Sequence, residues 1–171
     1  MSAGAITLLV DDPGWRRTRG LTARLRQAAA AALRASGFKG KSQLTVLLGS
    51  DEKLKILNRD FRGKNKPTNV LSFPAAANPD GYRGDIAIAY GVTLQEARES
   101  GKRLADHASH LVVHGVLHLA GYDHEKNSDA KMMEPLEARI LKRLGIADPY
   151  RASARKSVKR AVRPKDRQVV A

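Results

Sequence analysis

The stretch "HGVLHLAGYDH", from His114 to His124, determines both the local fold and the chemistry of this chain. His114 and His118 are four residues apart, so in a helix they lie on one face, one turn apart. Two imidazoles in this arrangement can ligate a single zinc ion with bonds of about 2.0–2.1 Å. The spacing therefore predicts a metal-binding helix, although an isolated histidine on an apolar helix is more often a core residue.

A third ligand has to come from outside the helix, because His110, His114 and His118 would spread over about 12 Å along the axis. Gly121 can take the left-handed conformation that ends a helix, and His124 follows three residues later. We therefore predict one Zn²⁺ ion held by His114, His118 and His124. Nickel, copper or cobalt would fit the same ligands in vitro.

The sequence leaves two roles open for each of two neighbouring residues. His110 precedes His114 by one turn and is either a supporting residue behind the ligands or part of the core. Asp123 either orients a ligating imidazole, as carboxylates often do near zinc, or caps the turn.

The motif is close to the zinc-protease signature H-E-x-x-H-x-x-G-x-x-H, but Gly115 stands where that signature has its glutamate. In such proteases the glutamate is the general base, so a protease would need a base from elsewhere. Phosphodiester cleavage fits the metal, the missing base and the basic charge of the chain together.

The charge indicates a polyanionic partner. The 171 residues include 31 Lys and Arg against 17 Asp and Glu, a net charge of +14. Residues 151–171 are especially basic, so nucleic acid is favoured over membrane, and a merely solvated tail is the alternative. We predict one domain at 1–150 and a disordered or partly ordered tail at 151–171.

The pattern of apolar residues and turn signals predicts an α+β (α/β) fold with a mixed sheet of about four strands and four or five flanking helices. A capping box at Thr93 and Glu96 and a helix interruption near Ser100 are part of this prediction. The predicted strands are 5–10, 42–49, 70–73 and 85–91, and the predicted helices are about 15–36, 51–61, from 93, about 103–120 and about 129–144.

The sequence has no features of a membrane or exported protein. It contains no run of about 18 apolar residues and no basic region before its first apolar residues. Cysteine is absent, which excludes disulfides and thiolate metal sites. We expect a cytoplasmic protein without a membrane partner.

Two motifs, "HLVVHGVLHLAGYDH" and "RDFRGKNKPTNVLSFP", together with "GDIAIA" and "MMEPLEARIL", resemble the YbeY family of bacterial ribosomal-RNA maturation endoribonucleases. The resemblance covers most of residues 44–150. It implies a zinc-dependent, single-strand-specific endoribonuclease that acts at the 3′ end of small-subunit rRNA and in ribosome quality control. It also implies contact with rRNA and ribosomal particles, and ribosomal proteins and assembly GTPases are candidate partners.

The resemblance places the family's functional arginine on Arg62. The residues alone indicate only a basic loop, with Lys64 and Lys66 before Pro67, which suits phosphate binding or is an ordinary exposed loop. Thr68 and Asn69 are candidates to hydrogen-bond a phosphate or to hold the loop. A metalloprotease with a relocated base and a non-catalytic ribosome-assembly factor with a structural zinc are the alternative functions.

Overall fold

The computed structural model describes residues 4–123 and 127–151, without the side chains of 127–130. His124 and the predicted tail from residue 152 onward lie outside the described residues. The elements, apart from a short 3₁₀ helix at Pro13–Arg17, are β1 (Ala5–Val10), α1 (Leu21–Ala35), β2 (Gln43–Gly49), α2 (Asp51–Arg62), β3 (Val70–Pro74), β4 (Tyr82–Ala89), α3 (Tyr90–Glu99), α4 (Leu104–Leu119) and α5 (Asn127–Arg143).

The four strands form one mixed sheet in the order β1-β2-β4-β3. The strands β1, β2 and β4 are parallel, whereas β3 pairs antiparallel with β4 and forms an edge of the sheet. The predicted fold class is therefore confirmed.

Helices cover both faces of the sheet. On one face, Val46 of β2 and Ile86 and Ile88 of β4 pack into a large core with α1, α4 and α5. On the other face, Leu71 and Ala87 pack against Leu54 of α2. Because strand side chains alternate between faces, α2 and α4 lie on opposite sides of β3 and β4. No described helix has the length and apolar character needed to cross a membrane.

The first helix begins later than the sequence pattern predicted. Residues 13–17 form the 3₁₀ helix, in which Asp12 accepts a hydrogen bond from the Gly14 amide at 2.7 Å. Trp15 is fully buried and donates its indole N–H to the Gly49 carbonyl at 2.9 Å. The Trp15 side chain anchors the short 3₁₀ helix to β2, and α1 starts only at Leu21. Its predicted apolar positions are all buried: Leu21, Leu25, Ala28, Ala29, Ala32 and Leu33.

The predicted capping box at Thr93 is wrong. Helix α3 begins at Tyr90, and Asp51 of α2 accepts a hydrogen bond from the Val92 amide at 3.0 Å. A carboxylate from another helix therefore takes the capping role, and Thr93 lies buried within the helix. The predicted interruption is confirmed, because α3 ends at Glu99 and Gly101 has a φ of +65°.

Helix α4 lies unusually close to the sheet at Gly115. A β-carbon at this position would be 3.0 Å from both Cδ1 and Cγ2 of Ile86. The Ser72 hydroxyl of β3 donates a hydrogen bond to the Gly115 carbonyl at 3.3 Å. The absence of a side chain at Gly115 therefore lets the helix pack closely on β3 and β4.

Replacing Gly115 with alanine should lower the free energy of unfolding by about 1–3 kcal/mol, because overpacking of a buried contact outweighs the better helix propensity of alanine. The Ile86→Val substitution should recover part of this loss in the double variant, since it removes the Cδ1 methyl. Urea unfolding of the two single variants and the double variant measures the coupling. Strictly additive losses would contradict the contact.

Candidate metal centre

Three histidines follow one side of α4. The ring centroids of His110 and His114 are 6.3 Å apart, and those of His114 and His118 are 4.6 Å apart. The Nε2 atoms of His114 and His118 approach to 3.1 Å. Two nitrogens that share a tetrahedral zinc with bonds near 2.05 Å are separated by about 3.3 Å, so the pair already has a spacing suited to one ion.

A buried carboxylate lies behind this pair. Glu137 of α5 is fully buried, and its Oε1 is 2.5 Å from Nδ1 of His114. Its Oε2 is 2.9 Å from Nε2 of His110 and also accepts a hydrogen bond from the Tyr150 hydroxyl. Three donors thus converge on one carboxylate.

The ligand atoms of His110, His114 and Glu137 lie within 4.8 Å of one another, a grouping that could itself hold an ion. The observed distances of 2.5 and 2.9 Å, however, are those of direct hydrogen bonds. An ion between a carboxylate oxygen and an imidazole nitrogen would hold the two atoms about 3.3 Å apart. Glu137 therefore acts here as a hydrogen-bond acceptor, and the other nitrogen of His114 faces Nε2 of His118.

The carboxylate fixes the tautomer of His114. A carboxylate only accepts, so Nδ1 of His114 carries a proton and donates it to Glu137, while Nε2 faces Nε2 of His118. This is the arrangement in which a carboxylate orients a metal-binding imidazole.

The charge states agree with this arrangement. Burial raises the pKa of Glu137, but the hydrogen bonds from His110 and His114 outweigh it and hold that pKa well below its usual range. Burial lowers the pKa of His110 and outweighs the opposing effect of Glu137. At neutral pH Glu137 is therefore a carboxylate, and His110 is a neutral donor to it.

Sequence reasoning did not single out Glu137. It lies within an apolar stripe of α5 with buried Met133, Ile140 and Leu141. A glutamate in a stripe that is otherwise apolar is the signal that could have identified it, because charged residues are seldom fully buried unless they are paired.

The predicted reversal after α4 is confirmed. Gly121 has a φ of +95°, its amide donates to the His118 carbonyl at 3.0 Å, and the Tyr122 amide donates to the Leu117 carbonyl at 3.1 Å. This pair of bonds is a Schellman motif, which ends the helix and turns the chain. Asp123 follows, half-buried, directly before the undescribed His124.

One more histidine of α4, His107, lies one turn before His110 and is bonded to a different carboxylate. Nε2 of His107 is 2.7 Å from Glu96 of α3, and the Asn69 amide donates to the same carboxylate at 3.2 and 3.3 Å. Burial raises the pKa of Glu96, but these hydrogen bonds reverse the effect and lower it. Asn69 is thus engaged in linking α3 to the start of β3, and Thr68 beside it is buried.

The predicted phosphate-binding residues lie at the end of α2, across β3 from the histidines. Arg62 is half-buried, and its Nη1 atom has no hydrogen-bond partner among the described residues. The Asn58 amide donates to the Lys66 carbonyl at 2.9 Å and so fixes the following loop against the helix. Lys66 is exposed and Lys64 is half-buried on this loop.

Comparison with known proteins identifies the family. The family model described as Endoribonuclease YbeY matches residues 15–145. The chain belongs to the YbeY family. This confirms the resemblance inferred from the histidine and R-G-K-x-K-P-T motifs.

Three curated relatives carry the name Endoribonuclease YbeY. The one from Maricaulis maris is 44% identical over 146 residues, covering 85% of this chain and 91% of the relative. Those from Rhodopseudomonas palustris and Alkalilimnicola ehrlichii are each 50% identical, covering 78% and 80% of this chain and 73% and 86% of the relatives.

The solution structure of TM1509 from Thermotoga maritima has a similar fold. It aligns with a TM-score of 0.57 at 26% identity, and the alignment covers 92% of this chain and 99% of that protein. The sheet and helices described above are therefore shared with a solved structure.

Proposed function

We propose that this YbeY-family chain is a zinc-dependent, single-strand-specific endoribonuclease that matures the 3′ end of small-subunit rRNA and acts in ribosome quality control. The observation that carries the proposal is the 3.1 Å approach of the His114 and His118 Nε2 atoms, supported by the buried Glu137 carboxylate. The endoribonuclease name of three relatives supports the reaction class.

The proposed ligands are Nε2 of His114, Nε2 of His118, and His124 after the Gly121 reversal. Three neutral imidazoles suit zinc and leave a coordination position open for substrate or water. Zinc bound there supplies Lewis acidity, either activating water or polarising the scissile phosphate.

The protein's own residues then have separate tasks. Glu137 keeps the proton of His114 on Nδ1, so Nε2 stays available as a ligand. Arg62 binds the scissile phosphate and stabilises the charge that develops on its oxygens, and Lys64 and Lys66 attract the RNA backbone. Nη1 of Arg62 has no acceptor within the part of the chain that the structure describes, and this supports the assignment because a buried guanidinium nitrogen needs an acceptor.

The partners and location follow from the same proposal. The net charge of +14 favours rRNA and ribosomal particles as the polyanionic partner, with ribosomal proteins or assembly GTPases as protein partners. We place the protein in the cytoplasm, where these particles are assembled.

The packing of Gly115 argues against the metalloprotease alternative. A glutamate side chain at this position would start against Ile86, in the interface between the helix and the sheet. This packing favours the nuclease over a protease that takes its base from this position.

Removal of zinc should abolish RNA cleavage, and readdition should restore it. His114→Ala should lose both the bound zinc and the activity. His107→Gln, on the same helix but bonded to Glu96, is the matched control and should retain both. Metal analysis paired with cleavage of a single-stranded rRNA fragment measures the two effects. Undiminished cleavage by metal-free His114→Ala protein would contradict the proposal.

The same preparations separate the alternatives. Casein digestion that depends on His118 would support a protease. Zinc that stabilises the fold in a protein that cleaves no RNA would support the assembly factor.

A substrate with a 2′-deoxy group at the cleavage position tests the nucleophile. Continued cleavage of this substrate would exclude the internal 2′-hydroxyl as the nucleophile.

Glu137→Gln should weaken zinc binding about 10- to 100-fold, because an amide cannot accept hydrogen bonds from both histidines and hold His114 in its ligating tautomer. Glu134→Gln is the matched control, since Glu134 is exposed on the same helix. Competition with a chromophoric chelator measures the affinities. Equal zinc affinity in the two variants would exclude the orienting role of Glu137.

Arg62→Ala should lower kcat for RNA cleavage by about 100-fold or more while leaving zinc content unchanged, because one donor to the developing charge is lost. Arg59→Ala, three residues earlier and paired with Asp60 at 3.0 Å, is the control for loss of a surface charge. Single-turnover cleavage rates measure the difference. Equal rates for the two variants would remove Arg62 from the catalytic site.

A further inference from the structure

An exposed aromatic ring stands beside the basic loop. The apolar pattern of α2 puts Phe61 on the same face as Leu54 and Leu57, yet its side chain is 66% exposed. It is in edge-to-face contact with Phe73 of β3, with ring centroids 5.1 Å apart. Two of the three phenylalanines of the chain thus form one surface at the edge of the sheet.

The surroundings of this ring are cationic. The segment from Arg59 to Lys66 carries four basic residues and one acid, Asp60. The bond from Asn58 to the Lys66 carbonyl holds the backbone of this loop against the end of α2, the helix that carries Phe61. An aromatic ring among cations matches single-stranded nucleic acid, whose bases stack while its phosphates bind the charges.

The ring is also connected to the histidine helix through β3. Phe73 contacts Phe61 on the α2 side of the strand, and the preceding Ser72 hydrogen-bonds the Gly115 carbonyl on the α4 side. Gly115 follows His114 directly. One dipeptide of an edge strand therefore separates the aromatic surface from the metal-binding helix.

We propose that Phe61 is a base-stacking platform that holds an unpaired nucleotide of the RNA next to the cleavage position. This inference rests on the proposed nuclease function and deepens it. A base inside a duplex is already stacked on both faces, so a platform of this kind selects single strands without selecting a sequence.

Binding of a short fluorescein-labelled single-stranded RNA to metal-free protein tests the platform without cleavage. Phe61→Ala should weaken binding about 5- to 100-fold at every salt concentration and leave the slope of log affinity against log salt unchanged, because stacking releases no counterions. A Lys64→Gln, Lys66→Gln double variant should instead flatten the slope. Affinity for duplex RNA should be the same in Phe61→Ala as in the native protein.

Matched controls come from other exposed apolar side chains. Ile56→Ala, on the same helix at 36% exposure, and Met132→Ala, on α5 at 64% exposure, should bind single-stranded RNA as tightly as the native chain. Thermal unfolding of each variant verifies that the fold is retained.

A spectroscopic variant makes the contact direct. Trp15, the single tryptophan, is 1% exposed, so Phe61→Trp introduces the one exposed indole. Its fluorescence should be quenched by single-stranded RNA and not by duplex RNA. Absence of quenching, or unchanged affinity of Phe61→Ala, would overturn the platform.

The remaining outcomes are also decisive. A native chain that forms dimers, which Phe61→Ala dissociates, would assign the ring to an interface between copies and overturn the proposal. Failure of the native protein to bind single-stranded RNA would do the same. Binding that depends on Phe61 in a protein that cleaves no RNA with zinc would leave the platform standing and overturn only the nuclease function.

Discussion

The contact between α4 and the sheet at Gly115 is the constraint on which the rest of the structure depends. The absence of a side chain lets the helix settle on Ile86 and receive the Ser72 hydroxyl. Successive residues of a helix are rotated by about 100°, so with Gly115 against the sheet His114 points to the side of the helix. There its Nδ1 contacts the buried Glu137 of α5.

Hydrogen bonds to the buried Glu137 hold the imidazoles of His110 and His114 in place. A buried carboxylate is tolerated only when its hydrogen-bonding capacity is satisfied, and three donors from α4 and the chain after α5 satisfy it here. The stabilisation is mutual, because the same bonds fix the tautomer of His114. The packing of α5 against α4 therefore also orients the imidazole of His114.

The edge strand β3 joins the two halves of the proposed active site. Alternation along the strand sends Ser72 toward the histidine helix and Phe73 toward the basic end of α2. Under the proposed function, an RNA strand would lie along this edge, with the aromatic ring and the cations on one side of β3 and the histidine helix on the other. The strand β3 forms this edge of the sheet and is antiparallel to its neighbour β4.

The helices, the strands and the reversal at Gly121 could be predicted from the sequence, because helical spacing, strand patterns and glycine turns depend on interactions between near neighbours in the chain. The predicted helix starts were wrong where a residue distant in sequence makes the decisive contact. Asp51 caps α3 in place of Thr93, and the bond from Trp15 to Gly49 precedes a later start of α1. By itself the sequence determined the histidine pair, the mixed sheet, the family and the basic charge. Only the tertiary structure decided that Glu137 lies behind His114, that Gly115 packs on Ile86 and that Phe61 stays exposed. These contacts depend on which helices and strands pack against each other, and the residue pattern within a single helix or strand does not specify its packing partner.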